Sequence, residues 1–260
     1  MPRVVASEAL DHLAAHDPAA QRSRRDLARI HSVMGTRAMV CRGWQALVGA
    51  RRAGNALRIL ELGAGDGTLL LGVARALQPA WPQVQLTLLD RQDIVSAATL
   101  ASYAALGWSV QVEVTDVLAW AAEAQAETSG RSVQAPAPVS LHGPVRGLRW
   151  PWDLISTTLF LHHFDGAELD ALLAAIALRS QRFFACEPRR ARLALASSHL
   201  VGAIGANAVT RQDAVLSVHA GFCASEISAR WPGAATEWAC REHAAGLFSR
   251  CFSAQRLGAD

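Results

Sequence analysis

Glu61, Gly63, Ala64, Gly65 and Gly67 stand together in the run RILELGAGDGTLLL, where an apolar stretch ends in a carboxylate and alternate glycines follow. Such glycines allow a tight turn in which no Cβ keeps a ligand from the backbone. Leu69, Leu70, Val73 and Leu77 then recur at helical spacing, so the turn opens onto a helix N-terminus with free N–H groups and the positive end of its dipole. That combination suits a nucleotide-like cofactor. The pattern is G-x-G-x-G, and the dinucleotide fingerprint G-x-G-x-x-G fails because position 68 is Thr. A diphosphate wants the last glycine at the helix N-terminus, so this shorter turn favours a cofactor without phosphates. Two more carboxylates, Asp90 and Asp116, each close an apolar or alternating run, and His162 and His163 follow another. An imidazole there could take a proton from a substrate hydroxyl near neutral pH, though a histidine packed on the sheet or capping the next helix is the commoner arrangement. Each acid could likewise be an ordinary strand-end or capping residue.

The elements that must position these groups can be read from periodicity. Ile59 to Leu62, Val84 to Leu89, the alternating Val110, Val112 and Val114, Asp153 to Leu159 and Arg182 to Cys186 read as five strands. Helical patterns fall between them, at Leu69 to Leu77, Ile94 to Leu106 and, behind Asp165 as cap, Leu169 to Ile176. Alternation of this kind predicts a parallel sheet with right-handed crossovers and a ligand at the carboxyl ends of the strands, where Glu61, Asp90 and Asp116 all lie. Residues 121–150 turn to Ser, Gln, Pro and Gly without periodicity and read as an inserted loop. Ala191 to Ala208 reads as one helix over a ligand cavity, a second begins at Thr210 with Asp213 at capping-box spacing, and a short third is capped by Ser225. Glu237 to His243 and Leu247 to Ala254 read as a closing pair of strands. Ahead of the glycine turn, helices are expected around Val5 to Leu13, Leu27 to Met34 and Met39 to Val48.

Composition narrows the chemistry. The sequence holds no Lys, so all 25 basic residues are Arg and a lysine Schiff base is excluded. Five cysteines without a C-x-x-C pair suggest neither a disulfide framework nor a zinc site, and no His-Glu-His spacing suggests any other metal. No apolar run reaches membrane-spanning length and the first residues lack a signal-peptide core, so cytoplasmic residence is expected. A net charge of +3 without a basic, aromatic-interleaved stripe does not point to nucleic acid. Arg22, Arg25 and Arg29 share one helical face, which reads as solvated surface or an anion contact.

The set E-L-G-A-G-D-G, L-L-D, T-D and W-D-L-I-S-T-T-L-F-L-H-H-F resembles the class I S-adenosylmethionine-dependent methyltransferases, of the bacterial small-molecule type. The resemblance covers roughly residues 57 to 188 and is much more specific than any single motif. It implies a Rossmann-like α/β three-layer sandwich around a seven-stranded, mostly parallel sheet, whose final hairpin places one antiparallel strand between parallel ones. Residues 1–56 would then be an N-terminal helical segment over the active site, and 57–260 the catalytic domain, with the insertion at 121–150 and a helical cap at 189–230. Glu61, Gly63, Ala64 and Gly65 would hold the methionine part of S-adenosylmethionine, Asp90 the ribose hydroxyls, and Asp116 the adenine amino group, with Arg91 and Val117 flanking the ring. His162 or His163 would be the base, and His199, Glu187 and Arg192 the substrate contacts. The strand four ending S-T-T lacks the signature of nucleic-acid amino methylation, and the apolar cap implies a small hydrophobic acceptor. RSRRDLARIHSVMGT and ACEPRR are similar to segments of bacterial methyltransferases of aromatic polyketide or quinone-type products, pointing to a phenolic acceptor. A homodimer stays open. The competing readings are a nicotinamide oxidoreductase of Rossmann type and a non-catalytic methyltransferase-like binding protein.

Overall fold

Parallel strands buried on both faces read as mostly continuous apolar runs, and the central runs of this chain do, with Glu61, Thr87 and Ser156, Thr157 and Thr158 as buried polar exceptions. In the computed structural model, which describes residues 1–49, 56–128 and 151–258, they are β1 (Leu57–Leu62), β2 (Val84–Asp90), β3 (Trp108–Val114), β4 (Leu154–Thr158) and β5 (Arg182–Pro188), followed by β6 (Trp238–Ala245) and β7 (Ser249–Arg256). They form one seven-stranded sheet in the order β3-β2-β1-β4-β5-β7-β6. Only β7 runs against its neighbours, between β5 and β6. The strand order reverses beside β1, whose neighbours are β2 and β4. Crossovers leave opposite faces of the sheet at that point, opening a crevice at the carboxyl ends of β1 and β4. The glycine turn follows β1 and the paired histidines follow β4, so the topology alone brings them together.

Among the described residues eight α-helices connect and cover the strands: α1 (Pro18–Met34), α2 (Thr36–Val48), α3 (Thr68–Leu77), α4 (Ala97–Ala105), α5 (Val117–Thr128), α6 (Gly166–Arg179), α7 (Arg192–Ser198) and α8 (Ala208–Ala220). The sheet separates two apolar cores. One packs Leu60, Leu62, Ile155 and Phe183 against α5, α6 and Trp231; the other packs Ile59, Leu86, Leu88 and Phe184 against α2, α3 and α4. Local signals set the helix ends. Asp17 accepts from Ala19 N at 2.6 Å with Pro18 at the first helical position, and Gly35, at φ 68°, takes the left-handed turn that ends α1 and starts α2.

Several expectations need correction. The insertion expected from residue 121 begins later, since α5 runs to Thr128 with Trp120, Ala121 and Ala124 in the core, while 129–150 lie outside the described residues. The helix expected over Ala191 to Ala208 is two pieces, α7 and a 3-10 turn at Val201–Ile204 ended by Gly205. Asn207, not Thr210, caps α8, because its side chain accepts from Thr210 N at 3.0 Å. Asp213 leaves the cap and accepts instead from Ala9 N and Leu10 N of the N-terminal segment. The short helix expected after Ser225 is a set of turns, and the first N-terminal helix is a 3-10 turn at Ala9–His12.

Trp44 of α2 ties the helical layer to the sheet. It stacks on Trp81 at 6.2 Å between centroids, and its indole N–H donates to Ser156 Oγ of β4 at 3.1 Å. Trp44→Phe keeps much of the apolar contact and removes the donor. It is expected to lower the unfolding free energy by about 1–3 kcal/mol, read as a lower urea midpoint at unchanged m-value.

Candidate functional site

The turn after β1 is held from three sides. Gly63 N and Ala64 N donate to Leu89 O of β2 at 2.9 and 3.0 Å, Asp66 accepts from Thr68 N at 2.9 Å as α3 begins, and the Tyr103 hydroxyl donates to Gly67 O at 2.8 Å. Two of the glycines are required for different reasons. Gly63, at φ 71°, has the Phe160 ring where a Cβ would stand, at 2.2 Å, whereas Gly65, at φ 56°, faces open space with no atom within 4 Å of such a Cβ. Asp90 closes the turn from β2: its Oδ2 accepts from Gly65 N at 2.8 Å and its Oδ1 from Gln92 N at 2.9 Å. Each oxygen spends one lone pair on the backbone and keeps acceptor capacity for a diol.

Glu61, last but one in β1, is 2% exposed yet borders the cavity. Its Oε2 is buried without a hydrogen-bond partner among the described residues. Burial pushes its carboxyl from the ordinary 4.5 up to about 7, the nearby Ser156 and Thr158 hydroxyls offsetting part of the effect. An orphaned buried acceptor next to an open glycine turn fits a ligand that brings a cationic donor, such as an α-amino group.

The opposite wall follows β4. Leu159 sits at φ 53°, a strained conformation for a branched side chain, and its N–H donates to Cys186 O at 2.8 Å. The chain then folds back over Glu187, a fully buried carboxylate at the end of β5. Glu187 Oε1 accepts from Phe160 N and Leu161 N at 3.1 and 2.9 Å, and Oε2 accepts from His162 N and from His162 Nδ1 at 3.3 and 2.9 Å. His162 is itself buried. Burial would lower its pKa, but the Glu187 hydrogen bond and the nearby Glu8 carboxylate outweigh it and hold the imidazole at about 9. His163, partly exposed, places Nδ1 3.1 Å from Asp11 Oδ2.

The turn, the end of β2 and this wall surround one cavity of about 870 Å³, roofed by α1, α7, α8 and the N-terminal segment. Of the residues expected from the sequence, Glu61, Gly63, Ala64, Gly65, Asp90, Arg91, His162 and His163 line it. Others do not. Asp116 is exposed and caps α5, accepting from Leu118 N at 2.8 Å, while Val117 is buried in the core beside Leu89 and Trp120. Glu187 lies behind His162 and holds backbone, so it is corrected from a substrate contact to a support. Arg192 on α7 and His199 just past its end are exposed, and the cavity face of α7 is formed instead by Ala194, Ser197 and Ser198. Sequence reading missed Glu8 and Asp11, which enter the site from the N-terminal segment; an apolar pattern at Val5 to Leu13 carries no sign of where its acids will point.

No family model matches the chain, and no curated protein matches it. Solved structures do. The plantazolicin methyltransferase BpumL in complex with SAH matches with TM-score 0.59 at 12% identity, covering 93% of this chain and 92% of that one. The fold is the Rossmann-like methyltransferase fold. An O-methyltransferase family protein from Burkholderia thailandensis matches at 0.56 and 18% identity, and the mitomycin 7-O-methyltransferase MmcR at 0.51 and 17%. These matches cover 95% and 96% of this chain but 62% and 61% of the longer neighbours. In this methyltransferase fold the cavity sits at the point of strand reversal, as the topology requires.

Two outcomes are expected here. Gly63→Ala meets both a left-handed backbone and the Phe160 ring, so it should destabilise the fold by about 1–3 kcal/mol from overpacking alone, with Phe160→Ala restoring part of the loss in thermal melts. Glu61 binds its proton more tightly folded than unfolded. The folded protein should therefore lose stability as pH rises from about 4.5 through about 7, and Glu61→Gln should flatten that dependence in melts recorded across the interval.

Proposed function

We propose that this chain is an S-adenosylmethionine-dependent methyltransferase that methylates a small hydrophobic acceptor of phenolic, quinone-type or polyketide-derived aromatic character. The observation that carries the reading is the buried, unpartnered Glu61 Oε2 beside the open Gly65 and the Asp90 carboxylate. S-adenosylmethionine brings an ammonium for the first and a ribose diol for the last. A nicotinamide dinucleotide brings a diphosphate, which two carboxylates and a G-x-G-x-G turn disfavour. The SAH complex of BpumL, in the same fold, supports the same cofactor.

In this reading Glu61, Gly63, Ala64 and Gly65 hold the methionine end and Asp90 the ribose. Arg91 lies on the same side of the cavity, beside the adenine, while Asp116 and Val117, outside the cavity lining, are not assigned to the ring. The sulfonium supplies an already activated methyl group, so the protein's work is alignment, exclusion of water and removal of the acceptor's proton. The acceptor lies under the apolar side of α1 and the α7 turn, where Leu27, Ile30, Met34 and Val201 line the cavity. Its hydroxyl proton is handled at the His162–His163 wall. No described helix is long and apolar enough to cross a membrane, and neither nucleic acid nor membrane enters the reading.

Calorimetric titration of the full chain with S-adenosylhomocysteine and, separately, NADH tests the cofactor. Binding of the first and not the second is expected, tightening as pH rises through about 7 while Glu61 ionises. Absence of S-adenosylhomocysteine binding sinks the reading. With labelled cofactor and a panel of phenols, transfer of label separates an enzyme from a non-catalytic binder. His162→Ala and His163→Ala are expected to keep cofactor affinity and to lower turnover by about 10²–10⁴-fold at the residue that takes the proton; unchanged turnover in both removes the histidine wall from the chemistry.

A further inference from the structure

The N-terminal segment is not draped over the cavity at random. Arg3 donates to Phe164 O at 2.7 Å and Ala220 O at 2.8 Å and pairs with Asp165 at 2.8 Å, while Ala9 N and Leu10 N donate to the Asp213 carboxylate at 2.8 and 3.0 Å. Glu8 lies between these two anchors, and Ser217 Oγ donates to its Oε1. That oxygen stands 3.4 Å from His162 Nε2. Nε2 is buried on a residue 3% exposed, borders the cavity, and has no hydrogen-bond partner among the described residues. His163 is the third member: one ligand atom from each of Glu8, His162 and His163 lies within 4.8 Å of the others.

We propose that Glu8, His162 and His163 bind one divalent transition-metal cation of the zinc type, with its open positions toward the cavity. The donor set selects the ion, because two imidazoles and one carboxylate suit zinc, cobalt or iron, whereas magnesium and calcium prefer an all-oxygen shell. Bonds of about 2.0–2.1 Å put tetrahedral neighbours roughly 3.4 Å apart, which is the separation of Glu8 Oε1 from His162 Nε2, and the His163 atom, within 4.8 Å of both, needs to draw in only slightly. The support is right as well. Glu187 holds Nδ1 of His162 and leaves Nε2 as the atom facing Glu8, where the ion would replace the Nε2 proton, and Asp11 holds Nδ1 of His163, the carboxylate–imidazole arrangement that orients metal-ligating histidines. Three protein ligands leave room for a hydroxyl or carbonyl oxygen from the cavity. Binding of the ion does not depend on methyl-transfer chemistry; its use as a Lewis acid toward an acceptor oxygen rests on the function proposed above.

Full-length protein stripped with chelator is titrated with Co2+ while its visible d–d absorption is followed, and Zn2+ is then added. One Co2+ per chain with a tetrahedral or five-coordinate band, displaced by Zn2+, is expected. Glu8→Gln and His163→Ala should each weaken binding by about tenfold or more, Glu187→Gln by about 10–100-fold, and His243→Ala, exposed on β6, not at all. Each variant's S-adenosylhomocysteine affinity reports whether its fold and cofactor end are intact. Absence of the Co2+ band, or a band unchanged in Glu8→Gln and His163→Ala, overturns the proposal and leaves the cluster as an ion pair between the N-terminal segment and the β4 turn. That result would leave cofactor binding untouched, so the two readings fail separately.

Discussion

A carboxylate with no access to water must be surrounded by donors, and Glu187 meets that requirement with three backbone N–H groups and one imidazole. The consequence extends well beyond one side chain. Glu187 belongs to β5, and its partners belong to the turn after β4, so the bond set locks the ends of two neighbouring strands into one rigid edge. The same turn holds the left-handed Leu159 and carries Phe160 over the glycine turn at a separation that only a glycine tolerates at position 63. Both walls of the cavity therefore depend on one buried charge. Removing either side of such an arrangement leaves an unpaired charge or unpaired amides in the interior.

Two fully enclosed carboxylates, Glu61 at the cavity edge and Glu187 behind His162, are buried to opposite effect. Glu187 is satisfied entirely by the protein, whereas Glu61 has an oxygen left over and a pKa raised to about 7. A satisfied group is structural. An unsatisfied one at a cavity edge is poised for a ligand that supplies the missing donor. The N-terminal segment completes the enclosure, bringing Glu8 and Asp11 against the histidines and exchanging water on that side for charged groups fixed by Arg3 and Asp213.

Much of this architecture could be read directly. The five parallel strands are carried by local runs rich in apolar or β-branched residues, the closing pair by alternation of buried and exposed positions, and the glycine turn announces itself by spacing. The misses share a cause. Asp213 looked like a capping residue because capping is local, but two amides of the N-terminal segment, far away in sequence, offered it better partners. Glu187 looked like a substrate contact because it follows a strand, and no local rule says that the neighbouring turn will fold back over it. Asp116 does cap α5, the plainer of the two roles open to it.

The sequence by itself determined the sheet, the turn that faces a cofactor and the acids at the strand ends, since all of these follow from backbone conformation and hydrophobic period within short windows. Tertiary structure alone decided which polar groups join the histidines at and behind the cavity wall. Glu8, His162, His163 and Glu187 come from three separate stretches of chain, and their meeting depends on strand order and on burial. Those are long-range properties, set by the need to satisfy every charge taken out of water, and no local pattern encodes them.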